Sequence, residues 1–436
     1  MKTHATQSAV AAAEVRSSAL DGTPGGNFNF ASVDPGGLKG KIASWLFDEP
    51  QWWMGLLRRF WPVARFPGGW AMVTRFEHVQ EVLAKENVFP VPFGERMMEM
   101  TSGPNFVLGM QDGPEYQRQH AQILQAFRRD DVAATVAPLS AKFAADIVGG
   151  CGGRIDAIED LITRVPTLLC ESYYGVPIQD KRLFAQWTIA MSGYMFGPPG
   201  KRPENAETAV IAAHCIRPVI DNAIRDAKAA ASRPDTILAR FVAMQEQGAE
   251  GLTDEVIRGH LFGMITGFVP TNTIAAGNVL EMLLRRPDFM ARARAAALAD
   301  DDDLLRRCLF EAMRFMPINP GPFRICREDY TIAKGRNDAT TIRAGTRMLV
   351  STQSAMFDEH KVHEPFEFNP DRASSEYMLF GHGLHWCIGA YIAGAQITQT
   401  FKPLLKRSGL RRSAGDDGKM HRLSVFPVHL SVEFDA

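Results

Sequence analysis

One loop near the C-terminus constrains this chain more than any other segment. Residues 380–389 read FGHGLHWCIG and stand immediately before an Ala/Ile-rich run with helical spacing. Glycine adopts backbone conformations that are closed to other residues, so this loop lets backbone N–H groups approach the sulfur of Cys387 closely. Such donors, together with the positive end of the following helix, favour the thiolate over the thiol. A thiolate held in this way is a good axial ligand for a heme iron.

A buried structural cysteine in a glycine-rich turn would give a similar short pattern, because free cysteine is among the most buried residue types. The full pattern, Phe-x-x-Gly-x-His-x-Cys-x-Gly, is far more demanding, and the chain matches it at every constrained position. It resembles the heme-ligand loop of the cytochrome P-450 superfamily, the heme-thiolate oxygenases. The resemblance implies a mainly α fold with small peripheral β-sheets, and heme b with Cys387 as the metal ligand. The other cofactor-binding residues that it implies in this loop are Phe380, Gly381, His385 and Gly389.

Length and composition favour one large soluble domain. The 436 residues would by themselves predict two or three domains, but no Pro/Gly/Ser-rich linker divides the interior. Residues 1–35 are rich in Ala, Ser and Gly and lack the basic and apolar regions of a secretory signal, so we expect them to form a disordered tail. We expect residues 36–436 to form a single heme-thiolate catalytic domain. No apolar run approaches the ~20 residues that cross a bilayer, so we expect no transmembrane span.

Charge and cysteine usage exclude some partners. A net charge of −1 argues against nucleic acid as a partner. The six cysteines are scattered without metal-ligand spacing, and a protein of this size needs no disulfides to be stable. Both observations indicate a reducing, cytoplasmic setting.

The order of elements predicts a helical protein with strands near its ends. Residues 63–74 predict a β-hairpin around a Pro-Gly-Gly turn, and residues 75–85 predict a helix with one apolar face. Residues 86–110 resemble a loop, which we interpret as the ceiling of a pocket. Helices follow from residue 113 to about residue 286, and strands alternate with loops after residue 318.

A tryptophan-rich stretch over residues 45–61 combines aromatic and basic side chains. Such a composition is typical of a helix that rests on a membrane surface. The alternative is a first helix that docks on the core and lines a substrate entrance. Pro50 and Pro62 interrupt the amphipathic period and favour this alternative.

A second motif supports the resemblance. Glu311 and Arg314 match the superfamily's Glu-x-x-Arg helix, in which the two charges lie on one face and pair. A solvated surface pair would give the same spacing, but the position relative to Cys387 matches the family. The resemblance implies that Arg372, in the run FNPDR, joins the pair. The role implied for all three is structural.

Propionate anchoring is implied by a third set of residues. Arg324 stands where the family places an arginine that pairs with a heme propionate, and a guanidinium suits that place because it binds a carboxylate with two parallel hydrogen bonds. His385 matches the family's other propionate contact on the cysteine loop. A further helix in the family supplies a histidine and an arginine, but Tyr116 and His120 stand there instead. Arg118 is shifted by two positions and is predicted to face elsewhere. Heme retention would therefore depend mainly on Arg324 and His385.

The central helix, predicted over residues 253–285, departs from the family. The family shows an acid followed by a threonine, which organise water and deliver protons during dioxygen activation. Here the matching run is TGFVPTN over residues 266–272, which puts Val269 in place of the acid and Pro270 in place of the alcohol. Neither residue can relay a proton. A proline in mid-helix costs ~3 kcal/mol or more unless the helix is already distorted there.

The register of that run has one alternative. Gly267 fixes the first register, whereas a slip of one residue would place Thr271 in the alcohol's role and Pro270 in the acid's. In either register no carboxylate precedes a hydroxyl. The candidate catalytic residues are Gly267, Phe268, Val269, Pro270 and Thr271.

Three functions remain open at this point. The first is a cytochrome P-450 monooxygenase that inserts oxygen into a small lipophilic substrate with electrons from a separate ferredoxin or flavoprotein. The second is a peroxygenase or lipid-hydroperoxide isomerase or dehydratase, which needs no acid–alcohol pair and no electron donor. The third is a non-catalytic heme-binding sensor.

Overall fold

The computed structural model describes residues 28–30, 50–200, 202–203 and 205–435. The predicted tail over residues 1–35 lies mostly outside these ranges, as does the first part of the tryptophan-rich stretch. Phe28 and Phe30 are described; their rings stack with centroids 6.5 Å apart and pack against the core.

Helices dominate the described part of the chain. Their starts follow the usual chemistry, since Thr253 and Asp301 cap two of them by accepting backbone N–H groups and Pro114 opens a third. The α-helices are α1 Gln51–Phe60, α2 Phe76–Leu83, α3 Gly94–Thr101, α4 Pro114–Ala126, α5 Ala137–Gly150, α6 Arg164–Ser172, α7 Lys181–Met195, α8 Ala206–Ala229, α9 Ile237–Glu246, α10 Asp254–Arg285, α11 Pro287–Leu298, α12 Asp302–Phe315, α13 Thr352–Ala355 and α14 Ala390–Leu405.

Short strands form small sheets at the periphery. They are β1 Val63–Phe66, β2 Trp70–Val73, β3 Arg154–Asp156, β4 Phe323–Ile325, β5 Tyr330–Ile332, β6 Thr340–Ile342, β7 Arg347–Val350, β8 Arg411–Arg412, β9 His421–Leu423, β10 Phe426–His429 and β11 Ser431–Glu433. The largest sheet in the described chain has the order β1-β2-β7-β4, with β2 parallel to β7 and the other pairs antiparallel. The predicted hairpin is confirmed, and Gly68 and Gly69 turn its tip with φ of 78° and 74°.

The long helix α10 joins two parts of the core. Its residues from Ile257 to Ile274 belong to a hydrophobic cluster that includes α7, α8 and α9. Its residues from Ala275 to Leu283 belong to a second cluster, with α11, α12 and α14. The predicted central helix over residues 253–285 is confirmed, and its burial makes it the natural wall of an internal site.

The predicted loop over residues 86–110 is partly wrong, because α3 lies inside it. This helix buries Met97 and Met100 and ends at Ser102, whose left-handed conformation (φ 59°) stops it. Only one narrow face of this helix packs against the core. The sequence therefore has too few apolar residues at helical spacing to predict the helix.

Helix α1 docks on the core through one face. Arg58 is buried and donates to both the carbonyl and the hydroxyl of Ser354, and Met54 lies beside it. Trp52, Leu56 and Phe60 occupy the opposite face and are exposed. Docking is therefore observed, while contact with a membrane stays a prediction.

Within the described ranges, one helical stretch, Val132–Gly150, is long and apolar enough to cross a bilayer by length and composition alone. The prediction that no apolar run approaches this length is wrong by that criterion. Within this stretch, α5 carries an exposed ion pair between Lys142 and Asp146 and packs against α14.

Candidate functional site

The cysteine loop is a tight turn that only glycine permits. Gly381 and Gly383 have φ of 78° and 76°, and a Cβ on Gly383 would lie 2.4 Å from the carbonyl oxygen of Leu83. The backbone N–H of Cys387 donates to the carbonyl of Phe380 at 3.0 Å and closes the loop. The glycines therefore fix the position of the sulfur just before α14.

The Cys387 side chain differs from the other five cysteines, because it alone is exposed; all six lie in described parts of the chain. The surrounding protein raises the pKa of its thiol, and the N–H of Gly389 partly offsets this shift. A cation bound at the sulfur would favour the thiolate.

The predicted ion network is confirmed in geometry. Arg314 donates to both carboxylate oxygens of Glu311, at 3.0 Å and 2.7 Å, and Arg372 lies 3.3 Å from the same carboxylate. All three side chains are buried. Tyr377 adds a hydrogen bond of 2.7 Å from its hydroxyl to Glu311. The remaining donors of Arg314 bind backbone carbonyls of the segment before the cysteine loop, so the network holds that segment to α12.

The residues predicted to anchor propionates lie close to one another. The rings of Tyr116 and His120 stack at 5.4 Å, and Tyr116 also meets His385 at 5.7 Å. The hydroxyl of Tyr116 donates to the Leu384 carbonyl at 2.9 Å, so this donor is engaged. Burial, and next the proximity of His385, lower the pKa of His120, which weakens it as a cation.

Arg118 faces away from this group, as predicted. It forms ion pairs with Glu115 and with Glu250 on the outer side of α4.

Sequence reasoning missed Glu86, which lies in the middle of the anchoring group. Its carboxylate accepts from Arg324 Nη2 at 3.2 Å, and its other oxygen lies 3.5 Å from His385 Nε2. Arg324, Glu86 and the His385 side chain are all at least nine-tenths buried. No motif marks this acid, and only the fold brings it to the cysteine loop.

One face of α10 borders open space. A side chain at Gly267 would meet no neighbouring atom within 4 Å, and Thr271, one turn later on the same face, is half-buried. Val269 and Pro270 point to other sides and are buried. The Thr271 hydroxyl donates to the Gly267 carbonyl. The helix therefore presents Gly267 and Thr271 to this space.

The open face ends at a contact on either side. Toward the N-terminus of α10, Gly263 lies so close to Phe106 that a Cβ would overlap its ring. Toward the C-terminus, Asn278 donates to the Pro317 carbonyl at 2.9 Å. Phe106 lies within residues 86–110, which we interpret from the sequence as the ceiling of a pocket.

Pro270 changes the hydrogen bonding of α10 without ending it. It has no N–H to donate to the Thr266 carbonyl. The next three side chains, Thr271, Asn272 and Thr273, each donate to the carbonyl four residues earlier. These bonds span the turn that the proline weakens, and the helix continues to Arg285.

Comparison with known proteins decides the family. The Cytochrome P450 family model matches residues 67–420. The chain belongs to the cytochrome P450 family.

Curated relatives of this P450 are bacterial enzymes. Mycinamicin IV hydroxylase/epoxidase of Micromonospora griseorubida is 25% identical over 346 residues, which cover 77% of this chain and 81% of that protein. Cytochrome P450 130 of Mycobacterium tuberculosis is 28% identical over 323 residues, or 73% of this chain and 75% of that protein.

A solved structure shares the fold. CYP109E1 from Bacillus megaterium, in complex with testosterone, is 22% identical and aligns with a TM-score of 0.75 over 89% of this chain and 98% of the other.

The P450's residues fit a heme by their chemistry. The exposed Cys387 sulfur would hold the heme iron, and the buried Arg324 Nε and His385 Nε2 atoms have no hydrogen-bond partner in the described chain. Buried donors without partners are costly, and a propionate would satisfy them. When bound, the heme supplies the oxidative chemistry that the family shares.

Tyr174 is another residue of this region that sequence reasoning missed. Its ring lies 5.4 Å from that of Phe268, so it packs against α10, and burial raises the pKa of its hydroxyl. A fully buried tyrosine at the end of α6 has no pattern that would separate it from core.

His260 belongs to the core. It packs between Phe106 and Phe241, and burial lowers its pKa to about 3. It stays neutral at physiological pH.

Proposed function

We propose that this P450 is a monooxygenase that oxidises a small lipophilic substrate with electrons from a separate redox protein. The observation that carries the proposal is the placement of Thr271 on the open face of α10, hydrogen-bonded to the Gly267 carbonyl. This placement favours the register in which Thr271 takes the alcohol's role and Pro270 the acid's. A hydroxyl at this face can hold and pass a proton, which a valine or proline cannot.

The walls of the open face suit an apolar substrate. Phe106, Met264 and Phe268 are buried in the same hydrophobic cluster, and Ile318 packs against it. Binding at these walls would depend on apolar contact area. Curated relatives named as hydroxylases and epoxidases support the same reaction class.

The surface beside the cysteine loop suits a redox partner. Trp386 and Tyr391 are exposed with ring centroids 5.6 Å apart, and the guanidinium of Arg129 lies 4.1 Å from the Tyr391 ring centroid. Trp386 is the residue next to Cys387 in the chain, so this exposed group of side chains lies beside the cysteine loop. An exposed arginine among aromatic rings favours docking of an acidic protein such as a ferredoxin.

Partner-dependent turnover tests the proposal. Heme-loaded protein would be incubated with lipophilic substrates under two conditions: with NAD(P)H and a ferredoxin system, and with hydrogen peroxide or a fatty-acid hydroperoxide alone. We expect oxidised product only with the redox system. Product formed at ~10 per second or faster with peroxide alone would contradict the proposal.

Replacing the hydroxyl tests the role of Thr271. We expect Thr271→Val to lower the product formed per NAD(P)H consumed by roughly tenfold or more, because proton transfer contributes about 10²–10⁴-fold to such steps. Reductant consumption itself should continue. The measurement is product and NAD(P)H stoichiometry with the redox system.

Thr271→Ser is the matched control, since it keeps the hydroxyl and should retain most coupling. Equal coupling in the valine and serine variants would show that another group delivers the proton.

Reversing one surface charge tests the docking surface. Arg129→Glu should slow electron transfer from an acidic ferredoxin about tenfold at low salt, since like charges across an interface repel. Stopped-flow reduction at several salt concentrations would measure it, and the difference should shrink as salt rises.

Arg343→Glu, at another exposed arginine directly after β6, is the control and should have little effect. If both variants are reduced as fast as the parent, the partner docks elsewhere.

A peroxygenase or lipid-hydroperoxide isomerase is the second candidate. One observation favours it: Pro270 takes the place of the acid, so no carboxylate precedes the Thr271 hydroxyl. A substrate with a preformed O–O bond needs no such relay. Partner-free turnover in the experiment above would support this candidate.

A further inference from the structure

Glu86 is held beside the cysteine loop by local backbone structure. It lies in the turn after α2, where the N–H groups of Val88 and Phe89 both donate to the Lys85 carbonyl. The Leu83 carbonyl in the same turn is in contact with Gly383. Turn and loop are therefore packed backbone to backbone, and Glu86 cannot shift as a whole without moving the loop.

The partners of Glu86 are the two groups implied in propionate binding. Its carboxylate lies 3.2 Å from Arg324 Nη2 and 3.5 Å from His385 Nε2. Within the described ranges, the other hydrogen bond of Arg324 goes to the Phe323 carbonyl, through Nη1 at 3.0 Å. One Glu86 oxygen, Oε2, accepts no hydrogen bond within the described chain.

The charges of this group balance without any ligand. Arg324 contributes one positive charge and Glu86 one negative charge, while His385 contributes a further positive charge only when protonated. A carboxylate from outside that binds Arg324 would lie close to Glu86, and like charges held together in a buried site repel strongly. The Glu86 carboxylate and a carboxylate of the ligand would thus both bind the same cation, Arg324.

We infer that Glu86 competes with a heme propionate for Arg324 and His385, and that it weakens heme retention while stabilising the protein before heme is inserted. The inference rests on heme binding, which the proposed function includes. It makes Glu86 a positioning residue for the cofactor, because it would act through the Arg324 guanidinium and not on the reacting atoms.

Glu86→Gln should change the two forms of the protein in opposite directions. The heme-free variant should melt at a lower temperature, because Arg324 loses its buried counter-charge. The heme-loaded variant should release heme about tenfold more slowly, because the propionate no longer meets a like charge. Transfer of heme to excess apomyoglobin would give the release rate, and thermal melts of both forms the stabilities.

Two variants serve as controls for this experiment. Glu77→Gln, on α2 and paired with Arg336 at the surface, should leave both quantities unchanged. Arg324→Gln should accelerate heme release, since it removes the cation for which both carboxylates compete. Unchanged or faster heme release in Glu86→Gln would overturn the inference.

A measurement on the parent protein covers the case in which Glu86→Gln fails to fold. The parent would be loaded with heme and with heme dimethyl ester, which has no propionate charge. Release rates within about threefold of each other are expected, because repulsion of a propionate by Glu86 offsets its attraction to Arg324. Release of the ester that is tenfold or more faster would overturn the inference.

These results are distinct from a failure of the proposed function. If the parent protein binds no heme at all, the proposed function fails. If it binds heme and oxidises substrate while Glu86→Gln behaves as the parent, only the role of Glu86 is wrong.

Discussion

Cys387→Ser is expected to abolish substrate oxidation while leaving a folded protein. The loop is shaped by its glycines and by the backbone bond between Cys387 and Phe380, and neither depends on the sulfur. A serine hydroxyl is a poor replacement for a thiolate donor, so turnover with the redox system should fall by roughly 10³-fold or more, which is ~4 kcal/mol of barrier. The carbon monoxide complex of the reduced protein should lose the long-wavelength band that a thiolate ligand produces.

Cys151→Ser is the matched control for that substitution. Cys151 is half-buried and donates to the Val148 carbonyl, a bond that serine can keep. Its spectrum and turnover should equal those of the parent. A thiolate-type band in Cys387→Ser protein would mean that another cysteine binds the iron.

Glu311→Gln is expected to have the largest effect on stability. The substitution keeps the size of the side chain but leaves Arg314 and Arg372 buried without their shared counter-charge. Breaking a buried pair by removing one partner typically costs about 3–5 kcal/mol. Because the network holds the segment before the cysteine loop, we also expect less heme per protein. Urea unfolding and the heme content of purified protein would measure both effects.

Asp303→Asn tests whether the loss of stability in Glu311→Gln arises because the broken ion pair is buried. Asp303 lies on the same helix, α12, and pairs with Arg306 and Arg307 at the surface. Exposed pairs contribute about 0–1 kcal/mol, so this variant should unfold close to the parent. Equal losses in the two variants would refute the argument from burial.

The sequence predicted the parts of the site that depend on fixed local spacing. The cysteine loop could be predicted because its glycines serve a backbone turn, and the turn is observed at Gly381 and Gly383. Glu311 and Arg314 could be predicted because residues three apart on a helix face the same way.

The parts that depend on packing could not be predicted. Phe106 and Tyr174, on neighbouring segments, determine which face of α10 borders open space. The sequence alone therefore left two possible registers for Thr271. Glu86 is 238 residues from Arg324 along the chain and approaches it only in the fold.

The proline in the central helix also bears on how the molecule can move. Pro270 interrupts the ladder of backbone bonds near the place where α10 passes from one hydrophobic cluster to the other. Cooperative opening of a helix is transmitted along that ladder, and a gap in it separates the units that open together. The half of α10 beside Phe106 is therefore expected to open separately from the half packed on α12.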